Sequence, residues 1–221
     1  MTANPSQQII EAIAPQLQTG AVQHDSTGTW EWRGSLYEQR VRVRAERTSC
    51  QVQVDAKNPF GAFGLQWGPK LVPDPTAIDD AAFDVADEVR VWVGRNVVLQ
   101  CFGLELPEQL AALRAFPAEG VRYLVEGMQR DHVRVLGVER DQLLGFVAID
   151  NPDVIAATVR FTNLLAWTAA QLAPLAASAP AAIAAAKAPS ATTPIRCRYC
   201  KALFLLDARA QCPQCGAPAG S

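Results

Sequence analysis

The sequence predicts an α+β fold in which hairpins form an antiparallel sheet that packs against helices. Apolar and polar residues alternate over residues 29–55, the period of a strand with one buried face. The alternation returns over residues 87–103 and 132–149, each time around a polar turn. Other segments carry apolar residues every three or four positions, as on one face of a helix. With 221 residues and 49% hydrophobic composition, the chain can build one large core and an appendage.

The first predicted elements are a short helix and a three-stranded meander. Residues 5–18 carry apolar side chains at helical spacing, which predicts the helix. Residues 29–55 then change to a period of two, and we expect turns at residues 33–35 and 47–48. The polar positions of the second strand are three arginines, Arg40, Arg42 and Arg44. They are expected to project from one face of the strand, about 6.6–7 Å apart.

A connection, a hairpin and two helices are predicted next. Residues 58–75 are dense in Gly and Pro, which is typical of a connection that holds at most an irregular strand. Residues 87–103 form the hairpin, with a turn at residues 94–96. Pro107 suits the first turn of one helix, and residues 121–128 carry the apolar stripe of the other.

A second hairpin and a long helix complete the predicted domain. The hairpin spans residues 132–149 and turns near residues 139–141. Asn151 is expected to cap the following helix, which should pack across the sheet. Residues 41–59 and 133–152 share the order Val-Arg-Val, Glu-Arg, apolar strand and Asn-Pro. Convergence of two hairpins is the favoured interpretation, with an internal duplication as the alternative.

A change of composition divides the chain. Residues 176–194 are nearly all Ala, Pro, Ser and Thr, which is typical of a linker. We therefore expect an α+β domain at residues 1–175, the linker at 176–194 and a small module at 195–221. Residues 161–186 carry no charge, but prolines and many alanines interrupt them, so a membrane span is not expected.

The C-terminal module contains two Cys-x-x-Cys pairs, Cys197 with Cys200 and Cys212 with Cys215. Four thiolates are a complete tetrahedral shell for zinc. A segment of roughly 25 residues cannot bury enough apolar surface to fold alone, so Zn²⁺ is expected to be structural. Rubredoxin-like iron and disulfides are the weaker alternatives. Thiolates stay reduced in the cytoplasm, and the N-terminus shows no secretory signal, so we expect a cytoplasmic protein.

The same segment resembles the compact zinc ribbons found at the ends of many bacterial proteins, especially in Cys-Pro-Gln-Cys-Gly-Ala-Pro from Cys212. It departs from them at Lys201, where a glycine is usual. The resemblance covers about a tenth of the chain and implies zinc and little more. The N-terminal domain faintly resembles uncharacterised bacterial domains that also carry a Phe-Asp step, here Phe83 and Asp84.

Candidate catalytic groups are scattered rather than clustered. His24 and His132 are the two histidines, and neither has a partner that would complete a triad or a catalytic zinc site. Cys50 and Cys101 occupy apolar strand positions and are expected to be buried, inert thiols. Five carboxylates in a connection are expected to be solvated: Asp79, Asp80, Asp84, Asp87 and Glu88.

Two surfaces could bind a partner. The first is the row of Arg40, Arg42 and Arg44, which Glu31, Glu38, Glu46 and Asp55 lie close enough to neutralise in large part. The second is an apolar contact that Leu203 and Phe204, with the two leucines that follow them, would expose.

The sequence therefore predicts a non-enzymatic zinc-binding adaptor that binds another protein. Formal net charge is −2, which argues against general coating of nucleic acid. A nucleic-acid-binding regulator that uses the ribbon and the arginines is one alternative. An enzyme whose site assembles from distant residues, for example around residues 60–67, is the other. A membrane partner is not expected.

Overall fold

A computed structural model describes residues 4–24, 27–68, 88–94, 96–102, 106–187, 195–204 and 211–218. These residues form eleven strands in one sheet and five α-helices, which confirms the α+β class. The strands are β1 (Thr19–His24), β2 (Trp30–Leu36), β3 (Gln39–Ala45), β4 (Ser49–Asp55), β5 (Phe63–Trp67), β6 (Glu88–Gly94), β7 (Val97–Phe102), β8 (Val133–Val138), β9 (Gln142–Ala148), β10 (Ile195–Arg196) and β11 (Leu203–Phe204). The helices are α1 (Pro5–Ile13), α2 (Leu106–Ala115), α3 (Ala118–Asp131), α4 (Val154–Leu172) and α5 (Ala179–Lys187).

The strands lie in the order β1-β2-β3-β4-β9-β8-β5-β7-β6-β11-β10. Every neighbouring pair is antiparallel except β11 with β6, which is parallel. The three predicted hairpin regions are present, and β4 and β9 join two of them at the centre of the sheet. The first turn is at Tyr37 and Glu38, both with positive φ, and not at residues 33–35.

All five helices lie on one side of the sheet or on each other, and we call the face that they cover the inner face. Phe161 of α4 packs directly over Gly145 of β9, where an added Cβ would come within 2.3 Å of the ring. Helix α1 contacts β2 and β3, and α3 contacts β8. The core fills this interface with valines from alternate strand positions and with the buried side of α4. The predicted long helix therefore packs across the sheet, as expected.

The predicted linker contains a helix. Residues 179–187 form α5, which packs against α2 and inserts Ala179 into the main core. Residues 179–187 are therefore helical rather than a flexible coil. Alanine favours helix, and Pro180 lies in the first turn, where its missing N–H leaves no helical bond unmade. Residues 188–194 lie outside the described residues, and the domain boundaries stay a prediction.

Asn151 has a different task from the predicted one. Helix α4 begins three residues later, and the cap position, Asp153, makes no side-chain bond. The Oδ1 of Asn151 accepts a hydrogen bond from the N–H of Asp153, while its Nδ2 donates to the carbonyl of Asp131. Asn58 makes the equivalent bond after the first hairpin, where its Oδ1 accepts from the N–H of Phe60 at 3.0 Å. Each Asn-Pro step thus closes a turn directly after a strand pair.

Candidate metal centre

The four C-terminal cysteines converge on one point. Their Sγ atoms all lie within 4.8 Å of one another, and the pairs Cys197–Cys215 and Cys200–Cys212 are each 3.6 Å apart. A tetrahedron of sulfurs about 2.3 Å from a zinc ion has edges of about 3.75 Å, close to these separations. The four cysteines can hold a metal ion.

Two matching turns position the sulfurs. In the first, the N–H of Cys197 donates to the carbonyl of Ala202 at 2.8 Å, and that of Lys201 donates to Cys197 at 3.0 Å. In the second, Cys212 donates to Ala217 and Gly216 donates to Cys212, both at 2.8 Å. The two Cys-x-x-Cys pairs therefore adopt the same turn conformation, because the same spacing allows the same two backbone hydrogen bonds.

Both turns need a left-handed residue directly after the second cysteine. Gly216 has a φ of +74°, and Lys201 has a φ of +60° at the equivalent position. Glycine adopts this conformation without a steric penalty, whereas a lysine pays one. The Nζ of Lys201 donates to the carbonyl of Arg198 at 3.0 Å, which offsets part of that cost. The unusual lysine thus keeps the geometry of the usual glycine.

Backbone amides point at the sulfurs. Burial raises the pKa of Cys197, but the N–H groups of Cys200 and Tyr199, together with the thiols of Cys215 and Cys200, outweigh this and bring the pKa to about 7. Burial, the largest influence, raises the pKa of Cys200 and of Cys212 above the ordinary thiol value, although backbone amides oppose it at both. Protons and a metal ion therefore compete for these thiols, and ligation releases protons.

The C-terminal segment that carries the four cysteines, residues 195–204 and 211–218 of the described chain, docks on the main sheet, and we call it the metal module. Strand β10 pairs with β11, and β11 pairs in turn with β6 through Phe204 and Trp92. Phe204 packs with Trp92, Val98 and two of the cysteines in a second, smaller core. The amide of Asn96 also donates to Oε1 of Gln214 at 3.4 Å. The module therefore extends the sheet of the domain that precedes it.

This docking corrects the predicted apolar contact surface. Phe204 is only 1% exposed, so its ring is not available to a partner. Leu203, its neighbour in β11, is half-buried and belongs to neither core. Leu205 and Leu206 lie outside the described residues. The ring is buried because Trp92 supplies an apolar face that the isolated module lacks.

The arginine row surrounds a buried carboxylate. Glu31 is 2% exposed and pairs with Arg33, with Nε of Arg42 at 3.5 Å and with Nε of Arg44 at 3.8 Å. Arg40 is 88% exposed and pairs with Asp55 at 2.8 Å. Glu31 and Asp55 thus neutralise part of the row as predicted, whereas Glu38 lies in the turn between β2 and β3.

In the described part of the chain, the other candidate residues do not converge. His24 lies in β1, not in a connection, and its ring contacts Trp30 at 5.0 Å. His132 ends α3 with a left-handed φ instead of beginning a strand, and its ring contacts Trp67 at 4.7 Å. Cys50 is buried as predicted, and burial raises its pKa to about 11 although a bond with Thr158 opposes this.

Several predictions fall on residues that the structure does not describe. Asp79, Asp80, Asp84 and Asp87 lie outside the described ranges, and so do the side chains of Glu88 and Cys101. Around residues 60–67, where the enzyme alternative places its site, Phe60, Phe63 and Leu65 are buried in the main core. Phe60 and Phe63 pack edge-on against Phe116, at 6.0 and 5.4 Å between ring centres.

Two polar features were not predicted from the sequence. The carboxylate of Asp131 is 0% exposed and forms ion pairs with Arg130 and Arg160. Its distances to Nε and to a terminal nitrogen of Arg160 are 2.8 and 2.7 Å. Glu31 was predicted as one of several neutralising groups, not as a buried hub. A carboxylate at the end of a helix or in a polar strand phase gives no sign of burial, because some of its partners, such as Arg160 for Asp131 and Arg42 for Glu31, lie on other elements.

Comparisons with known proteins place the chain in no family. It matches the sequence model of no known protein family, and no curated protein matches it. Among solved structures, it is similar to the crystal structure of the mycobacterial trehalose monomycolate transport factor A, TtfA. That similarity has a TM-score of 0.44 and 11% sequence identity, and it covers 72% of this chain and 93% of that one. A similarity this weak carries no argument about function.

In the described part of the chain, no individual helix combines the length and the apolarity that a membrane crossing requires. One pair, residues 154–177 with Ala179–Lys187, meets the criteria jointly but bends by 87° at its break.

Proposed function

We propose that this protein binds zinc as a structural ion and acts by binding another protein. The observation that carries the first half is the convergence of four Sγ atoms on two matching turns. Four soft thiolates in a tetrahedron favour zinc over harder cations. With all four positions taken by sulfur, no coordination site remains for water or substrate. The ion would therefore stabilise the module rather than catalyse a reaction.

The proposed task of the ion is to hold the module against the sheet. The described residues of the module bury few side chains, and their core is completed by Trp92 and Val98 of the main domain. Without the ion, no metal–sulfur bonds would join the two Cys-x-x-Cys turns. Phe204 would then lose the packing of the cysteines against its ring. Thiols persist as ligands where disulfides do not form, so we place the protein in a reducing compartment, the cytoplasm.

Protein binding is supported by what docking leaves exposed. Tyr199, between the first two cysteines, is 70% exposed, and Arg198 precedes it. Tyrosine and arginine are enriched among the residues that dominate protein interfaces. The nucleic-acid alternative needs a continuous positive track, and Glu31 and Asp55 interrupt the arginine row.

Metal analysis tests whether the protein binds zinc as a structural ion. The full chain, purified under reducing conditions, is expected to hold one zinc ion, and cobalt substitution should give the absorption of a tetrahedral four-thiolate site. The Cys212→Ser variant is expected to lose that spectrum. Cystine bridges without metal, preferential iron loading or a solvent ligand on the ion would each contradict the proposal.

Affinity purification from native cells tests whether the protein acts by binding another protein. The zinc-loaded chain is expected to retain a protein partner after nuclease treatment, and Tyr199→Ser should reduce that retention more than the exposed control Tyr37→Ser. Recovery of nucleic acid with a steep loss at higher salt would favour the nucleic-acid alternative.

A further inference from the structure

The sheet has an outer face, opposite the helices, that carries a continuous arrangement of charged and apolar side chains. One row of paired residues runs across the strands: Glu31, Arg44, Gln51, Phe146, Val135, Gln66, Val98, Trp92 and Phe204. The next row runs parallel to it: Arg33, Arg42, Gln53, Leu144, Gly137 and Gly64. The metal module covers one end of this face, and the arginines occupy the other.

Between them lies an apolar strip formed by Val135, Leu144 and Phe146. Val135 is 41% exposed, and the other two are half-buried. Leu144 and Phe146 belong to neither hydrophobic core, because alternate residues of β9 point away from the helices. No helix among the described residues covers this apolar strip.

A shallow trough runs beside the strip. Gly64 and Gly137 are paired across β5 and β8, next to Leu144, and neither contributes a side chain. An added Cβ at Gly137 would meet its nearest atoms, on Glu139 and Leu144, at 3.8–4.0 Å. This is ordinary contact distance, so space remains for a side chain from another molecule.

At the arginine end, the outer face has a cavity of about 240 Å³. It is lined by Arg33, Gly34, Arg40, Val41, Arg42, Gln53 and Asp55, and we call it the arginine pocket. Arg33 and Arg42 share the two oxygens of one buried glutamate. Each guanidinium carries five N–H donors, so donors remain for a further anion. Among the described residues, three arginines line the pocket, Arg33, Arg40 and Arg42, and they form ion pairs with two carboxylates, Glu31 and Asp55.

We propose that this outer face binds an acidic segment of a partner protein, with a carboxylate in the arginine pocket and an apolar side chain on the strip. The inference rests on the proposed protein-binding function and names the chemistry of the partner. Planar guanidinium groups match carboxylates in geometry as well as charge. The neighbouring apolar strip favours a peptide over a phosphate backbone, which would leave that surface unused.

Selection from a displayed library of random short peptides on the zinc-loaded full chain tests this inference. The enriched peptides are expected to combine Asp or Glu with a bulky apolar residue, and one of them then serves as a fluorescent probe. Arg40→Glu should weaken its binding on the order of tenfold, because an attractive contact becomes repulsive. Gly137→Val should weaken it comparably by filling the trough.

The matched control is Arg122→Glu, an exposed charge reversal on α3, on the helical side of the sheet. It should leave the affinity unchanged, and all three variants should keep the zinc content and thermal stability of the original chain. No enrichment, enrichment of basic peptides, or equal effects of Arg40→Glu and Arg122→Glu would overturn the inference. Equal binding of an oligonucleotide would do so as well. Zinc-dependent capture of a protein from native cells without such peptide binding would leave the proposed function standing and remove only this partner.

Discussion

Replacing Phe204 with alanine measures how strongly the metal module is held to the sheet. The ring is 1% exposed and packs with Trp92 and Val98, which belong to strands of the main domain. Truncating a buried phenylalanine costs about 3–5 kcal/mol. The loss should fall on docking first, because every other member of this small core except Trp92 and Val98 belongs to the module.

Hydrogen exchange locates this loss. Amides in β6 and β11 are expected to exchange more than about a hundredfold faster in Phe204→Ala, since each 1.4 kcal/mol is about a factor of ten. Zinc content should not change, because Phe204 supplies no ligand. Leu203→Ala is the matched control in the same strand, and as a half-buried side chain outside both cores it should cost under about 1 kcal/mol. Equal effects of the two variants would refute the docked arrangement.

Three further predictions concern the rest of the molecule. Because burial raises the pKa of Cys50 from 9.0 to about 11, its contribution to stability is complete below about pH 9 and declines as the pH rises to about 11. The decline should reach about 2–3 kcal/mol and be absent in Cys50→Ala, by denaturant unfolding at each pH; parallel pH profiles would contradict it. Gly216→Ala should lower zinc affinity about fivefold to tenfold in competition with a chelator, through its positive φ, whereas Lys201→Gly should not lower it. Asp131→Asn should cost about 2–4 kcal/mol in chemical unfolding because Arg160 loses a buried partner, and a loss below that of an exposed Asp150→Asn control would exclude this role.

The strands were predictable because their signal is local. Each hairpin repeats apolar residues at every second position, and that period alone decides which side chains face the core. The turn at Tyr37 and Glu38 was missed because neither is a usual turn residue, although both adopt positive φ. The glycine at position 34, where a turn was expected, instead lies inside β2.

The helix in the predicted linker shows the opposite case. The side chains of residues 179–187 are nearly all small, so the segment by itself buries little apolar area. Such a composition is typical of a flexible tether. Helix α2, about 70 residues earlier in the chain, offers the surface that Ala179 and Ile183 cover. Small apolar side chains are enough for order when the neighbouring surface is already folded.

By itself, the sequence determined which four cysteines converge, because two Cys-x-x-Cys pairs close their own turns whatever surrounds them. It also determined which face is polar in each strand of the predicted hairpins. Only the tertiary structure decided where these pieces lie: Phe204 is buried because Trp92 pairs with it across β6 and β11, and Glu31 is buried because three arginines from two strands enclose it. Spacing along a chain fixes contacts within a few residues, whereas contacts between distant segments depend on surfaces that exist only after folding.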